Sequence, residues 1–301
     1  MGSRPGGAGS VTPPGKPRAR KAGRSAAAKK KSGRTSAAKK VSGRKSSRKK
    51  AAASKSPPPK LDSSRRVFFF GEGRADGGGE LHELLGGKGA NLAEMTSLGL
   101  PVPPGFTIST AVCAEYQKRR GKLAADIRAD VLTALAGVER IRGRGFGDPQ
   151  NPLLVSVRSG ARVSMPGMMD TILNLGLNAA GVQGLVNQVD ERFAYDTYRR
   201  FIQMYADVVL HVPLDRFEHK LENAKFRKGV ELDTELEGSD WRALVREYLE
   251  LVEQQTGRPF PQDPEEQLWG AISAVFESWD NDRAKAYRRL HGIDDSWGTA
   301  V

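Results

Sequence analysis

Residues 154–170 read LVSVRSGARVSMPGMMD. With Leu153 they open on an apolar run that closes at Arg158 and Ser159, the profile of a short buried strand. A strand ending on Arg158 delivers a planar, permanently charged fork to its carboxyl end, the usual place for ligands in sheets of parallel strands. The loop that follows sets Gly167 among Met165, Met168 and Met169. Such a loop reads as a flap whose backbone closes over phosphates while the thioethers adapt to an apolar face. Two plainer readings stay open: an ion pair between Arg158 and an acid at the core edge, and ordinary packing of the methionines.

Working upstream, residues 84–92 read LLGGKGANL. Three glycines around Lys88 let backbone N–H groups approach a ligand, the helix that follows presents its N-terminus, and the lysine adds a mobile positive charge. Together these suit a phosphate. The glycine spacing, and the lack of a Ser or Thr after the lysine, separate this loop from the phosphate loop of nucleoside triphosphatases. The plainer alternative is a glycine-rich turn with a solvated lysine. The folded part begins at the apolar run Val67, Phe68, Phe69, Phe70, read as a strand. Leu92, Met95 and Leu98 fall at helical spacing until Gly99 and Pro101 stop the helix, Phe106 and Ile108 alternate as a strand, and Ile127, Val131, Leu135 and Val138 mark a further helix.

Downstream, the reading turns helical. Ala194, Tyr198, Phe201, Tyr205 and Val209 recur at three- or four-residue steps, as do Trp241, Leu244, Tyr248 and Leu251 after Ser239, a candidate N-cap. Asp263, Pro264, Glu265 and Glu266 form a helix start, followed by Leu268, Ile272, Val275 and Trp279. Strands and glycine loops in the first half with a helical layer in the second predict an α+β fold.

Charge divides the chain. Residues 1–60 hold 19 Lys or Arg and no acid, while the remainder has 29 basic against 35 acidic residues. The basic segment repeats a ten-residue pattern (KAGRSAAAKK, KSGRTSAAKK, VSGRKSSRKK) and has almost nothing to bury, so it reads as a disordered tail. Its charge draws polyanions, and non-specific nucleic-acid binding is one expectation; the absence of aromatics there removes base stacking. A solvated appendage and a transit peptide are the alternatives. A single cysteine, Cys113, excludes an intrachain disulfide framework and is read as a core residue. No apolar stretch reaches membrane length, so neither a membrane partner nor a secretory signal is expected, and the setting is read as cytoplasmic, with an organelle or a nucleic-acid-associated site as alternatives through the tail.

Four runs carry a family resemblance: LLGGKGANLAEMTSLGLPVPPGFTIST (84–110), NPLLVSVRSGARVSMPGMMDTILNLGLN (151–178), ERFAYDTYRRFIQMY (191–205) and FPQDPEEQLWGAISAVFESWDNDRAKAYRRL (260–290). They resemble the N-terminal nucleotide-binding domain of pyruvate, phosphate dikinase over about residues 67–301. The resemblance implies a partial ATP-grasp-like domain over 61–301, in which Lys88, Arg158, Gly167, Met168 and Met169 hold the ATP phosphates. It also implies the family reaction: ATP phosphorylates a histidine on a swivelling domain, with phosphate as co-substrate, and the phosphoryl group passes to pyruvate. The family's Mg²⁺ ligands lie in a strand-rich half beyond these residues, and His82, His211, His219 and His291 fall outside its phosphohistidine motif. No metal ligand is expected here. The chain is therefore expected to be inactive alone, as a fragment, a split-gene subunit or a decayed copy.

Overall fold

The computed structural model describes residues 65–301. The basic segment 1–60, with its expected disorder and nucleic-acid binding, lies outside the described residues.

Strand β1 (Val67–Gly71) pairs antiparallel with β2 (Arg74–Ala75) on one side and β3 (Gly105–Ile108) on the other. Its side chains alternate between two covered faces. Phe68 clusters with Leu85 and Ala90 of α1 (His82–Ser97), whereas Val67 and Phe69 join the core that holds Ile127, Val131, Leu135 and Val138 of α3 (Ala125–Arg142). A strand covered twice needs an unbroken apolar run, which is why three phenylalanines follow one another. Between them in sequence, α2 (Thr110–Lys118) buries Cys113, whose thiol is pushed up to about 11 by burial, in keeping with a core residue.

Helix α1 runs through the glycine-rich stretch around Lys88, and its inner face differs from the predicted stripe. Ala90, Ala93 and Thr96 are buried, Leu92 and Met95 are half-buried, and Leu98 is exposed. The cause is proximity: a Cβ on Gly89 would stand 2.7 Å from the Thr107 hydroxyl of β3. Small residues bring this helix onto the sheet, and the larger ones turn outward.

The second sheet pairs β4 (Val155–Arg158) with β5 (Thr171–Leu175), antiparallel and with an irregular register between Val155 and Val157. The expected parallel-sheet crevice is therefore corrected. Among the described residues every strand-to-strand pair is antiparallel, and parallel pairing is confined to the isolated bridge Gly145–Pro152. β4 is also less buried than its apolar run predicts, with Ser156 and Arg158 exposed.

A helical layer backs this sheet: α4 (Ala179–Gln188), α5 (Glu191–Val208), α6 (Leu214–Lys228), α7 (Gly238–Thr256), α8 (Pro264–Glu277) and α9 (Asp282–His291). α5 lies against α7, α4 and β5. Its stripe Ala194, Tyr198, Phe201 and Tyr205 is buried, with Val209 half-buried just past the helix end, and the stripes of α7 and α8 are buried as read. Asp263 caps α8 by accepting from the Glu265 N–H at 3.1 Å. The cap of α7 is Glu237 rather than Ser239: its N–H donates to the Asp240 carboxylate at 2.9 Å, which starts the helix one residue before the serine.

Residues 298–301 join the two sheets. Val301 exchanges both backbone hydrogen bonds with Ile108 of β3, and Ala300 exchanges both with Gly160, just beyond β4. The N–H of Gly160 also donates to the Thr299 hydroxyl at 3.2 Å. The chain beyond β4 is thereby fixed against the first sheet.

Candidate functional site

Helix α1 is broken at Gly86, which takes φ 66° and ψ 170°. Only glycine meets both demands there. The backbone is left-handed in φ, and a Cβ would fall 1.7 Å from the Gly160 carbonyl oxygen. Next along the chain, the Gly87 N–H donates to the Ala161 carbonyl at 3.0 Å, and Lys88 Nζ donates to the Ser159 carbonyl at 2.9 Å. Two motifs far apart in sequence thus form one unit. The glycine reading is corrected in part: Gly86 admits the backbone that follows Arg158, and the Gly87 N–H is already engaged by that backbone.

Lys88 borders a cavity of about 600 Å³ whose wall also includes His82, Arg162, Ser164, Gly167 and Met169. No Asp or Glu lines it. A concave site walled by cations without carboxylates concentrates anions. Partial desolvation lowers the pKa of the Lys88 ammonium although the residue as a whole is exposed, and the charge of Arg158 lowers it further. An ammonium has three donors, so the bond to Ser159 leaves two for a ligand.

Arg158 stands next to this cavity, not on its wall. Its register partner across the sheet is Thr171, which does line the cavity. The guanidinium makes no ion pair among the described residues, so the core-edge ion pair has no partner there.

The flap residues divide. Gly167 is exposed at φ 73° with open space around it, and with Met169 it lines the cavity. Met165 is buried, and Met168 and Met169 are partly buried against its cluster with Ala161, Trp279 and Ala284. The packing reading therefore describes the thioethers, while the backbone at Gly167 fronts the cavity. The loop is tied to the helical layer: Asn281 Nδ2 donates to the Met168 carbonyl at 3.0 Å, the Asp170 N–H donates to Ser278 Oγ at 3.3 Å, and Arg283 pairs with Asp170 at 2.9 Å.

Sequence reasoning passed over two cavity residues. Arg162 lies four positions after Arg158 in the quoted motif, but a loop has no periodicity to say which way it faces. His82, read as surface or structural, is exposed at the rim of the cavity. Among the described residues no group of three or more His, Cys, Asp or Glu side chains could hold a metal ion. The cavity wall does not suit Mg²⁺. Among the described residues no helix is long and apolar enough to cross a membrane.

Comparison with known proteins bears on the same residues. The family described as "Pyruvate phosphate dikinase, AMP/ATP-binding domain" matches residues 82–134 and 119–301. "Pyruvate, phosphate dikinase" of Rhizobium meliloti (strain 1021) is 56% identical over 236 residues, covering 78% of this chain and 26% of that protein. "Pyruvate, phosphate dikinase 1, chloroplastic" of Zea mays is 52% identical over 243 residues, covering 81% and 26%. "Pyruvate, phosphate dikinase" of Clostridium symbiosum is 51% identical over 237 residues, covering 78% and 27%. The chain spans about a quarter of the length of these relatives. Because the match runs through both motifs at the cavity and on through the helical layer, the chain belongs to the pyruvate phosphate dikinase AMP/ATP-binding domain family.

Proposed function

We propose that residues 61–301 form the ATP-binding part of a pyruvate, phosphate dikinase, of ATP-grasp-like type, with the ATP phosphates held in the cavity beside Lys88. Lys88 and Arg158 supply positive charge, and the backbone of Gly167, Met168 and Met169 covers the phosphates. The observation that carries this reading is the bond from Lys88 to Ser159, which draws the glycine bend and the end of β4 together at a cavity without carboxylates. Phosphoryl transfer asks of a protein mainly aligned cations that neutralise developing charge. Two such cations bind and orient the triphosphate. In this proposal, Mg²⁺, the phosphohistidine and the pyruvate site are supplied by other parts of the enzyme, so this chain alone binds ATP without turnover. The setting is proposed as cytoplasmic, in keeping with a lone buried thiol.

Calorimetric titration of ATP into the wild type and into Lys88→Ala and Arg158→Ala tests the assignment. Loss of one charge-assisted contact of about 1.5–3 kcal/mol weakens binding by about 10- to 100-fold for each variant. Unchanged affinity in both variants would remove these residues from the site.

A further inference from the structure

Arg162 shares the cavity wall with Lys88, and its present contacts are poor. Its nearest carboxylate oxygen, on Glu83, is 3.7 Å away, beyond hydrogen-bond length, and the Glu83 side chain is 85% exposed. A pair of that kind holds weakly in water. Nε of Arg162 is enclosed and has no acceptor among the described residues, although buried donors are almost always satisfied. The guanidinium carbon lies over the Trp297 ring, 5.3 Å from its centroid, a contact that uses none of its donors. Arg162 thus carries a permanent charge and unused donors at a wall that includes no Asp or Glu, with Glu83 and Asp294 as acidic neighbours outside it.

We infer that Arg162 is a third phosphate-binding group of this cavity, exchanging Glu83 for a phosphate of the ligand when a nucleotide enters. The inference rests on the reading of the cavity as an ATP-phosphate site. The enclosed Nε marks the present pose as one that leaves the side chain unsatisfied. A turn of the guanidinium toward an anion relieves that deficit, and the fork offers the two parallel donors that phosphate oxygens accept. Trp297 also packs against the buried cluster of Ala161, Met165, Trp279 and Ala284, as Met168 and Met169 do.

The test titrates ATP into the wild type, Arg162→Gln, Arg162→Lys and Lys88→Ala over a range of salt concentrations, with the melting temperature of each followed separately. Arg162→Gln is expected to weaken ATP about tenfold and to make the affinity less sensitive to salt, because one fewer cation meets the phosphates. Arg162→Lys is expected to recover part of the affinity and the full salt dependence. A purely structural arginine would lower the melting temperature and leave the salt dependence as in the wild type, which overturns the inference. Weakened Lys88→Ala beside an unaffected Arg162→Gln removes Arg162 alone; wild-type binding by both removes the underlying site. Should Arg162→Gln fail to fold, Glu83→Gln decides: freeing the arginine from its competitor is expected to tighten ATP about threefold, and unchanged or weaker binding contradicts the exchange.

Discussion

Gly86 carries the sharpest steric demand at the site, and its role was only half legible in the sequence. A glycine beside a lysine reads as a loop that leaves N–H groups open to a ligand. What the position supplies is room for the Gly160 carbonyl, a contact that depends on the fold of residues 71 or more positions away. Gly86→Ala is expected to destabilise the chain by at least about 2 kcal/mol, from strained backbone and forced separation of the two motifs; a denaturant midpoint equal to that of the wild type would refute the close approach. Lys88 gives a second prediction. Partial desolvation and Arg158 lower its pKa below the ordinary lysine value of 10.5. ATP needs the protonated form, so affinity is expected to fall as pH rises toward 10.5, earlier than for an ordinary lysine, and binding takes up a proton there. In the ligand-free protein the sign is opposite: the charged form is disfavoured by the fold, so stability rises as pH climbs from the lowered pKa to 10.5. Titration of ATP in two buffers of different ionisation enthalpy checks the proton uptake, and an affinity flat to pH 10.5 contradicts it.

At the scale of elements, the helices with wide apolar stripes were legible because their periodicity reports burial directly. Tyr198, Phe201 and Tyr205 on α5 and Trp241, Leu244 and Tyr248 on α7 all point inward. α1 was legible as a helix but not in its facing, since close packing through Gly89 buries alanines and exposes Leu98. Strand direction in β4 was not legible, because pairing direction follows from how the chain returns, which local pattern does not encode. The loop around Gly167 borders the cavity, and its tether to α9 rests on Asn281, a polar residue that no periodicity singles out. Asn281 both caps α9 through its oxygen and donates to the Met168 carbonyl through its nitrogen. Asn281→Asp keeps the cap and loses the donor. A lost hydrogen bond of about 1 kcal/mol predicts roughly fivefold faster hydrogen exchange in the loop around Met168, with α9 still protected. Equal exchange in both proteins would show that the tether does not hold the loop.

For the whole molecule, charge is distributed unevenly along the chain. The 19 basic residues of 1–60 predict non-specific DNA binding that weakens by a factor of about a hundred or more between roughly 50 and 200 mM salt. A chain beginning at residue 65 is expected to lose that binding, and equal binding by the shorter chain would take the tail out of the account. The rest of the chain is net acidic, yet the cavity beside Lys88 is walled without acids. That local reversal of sign is what would hold a triphosphate there. The most direct measurement is a structure of this chain with ATP bound. Phosphate oxygens are expected within about 3.2 Å of both Lys88 Nζ and the Arg158 guanidinium, beneath Gly167, Met168 and Met169. A nucleotide seated elsewhere, or a triphosphate in the cavity that engages neither cation, would contradict this assignment.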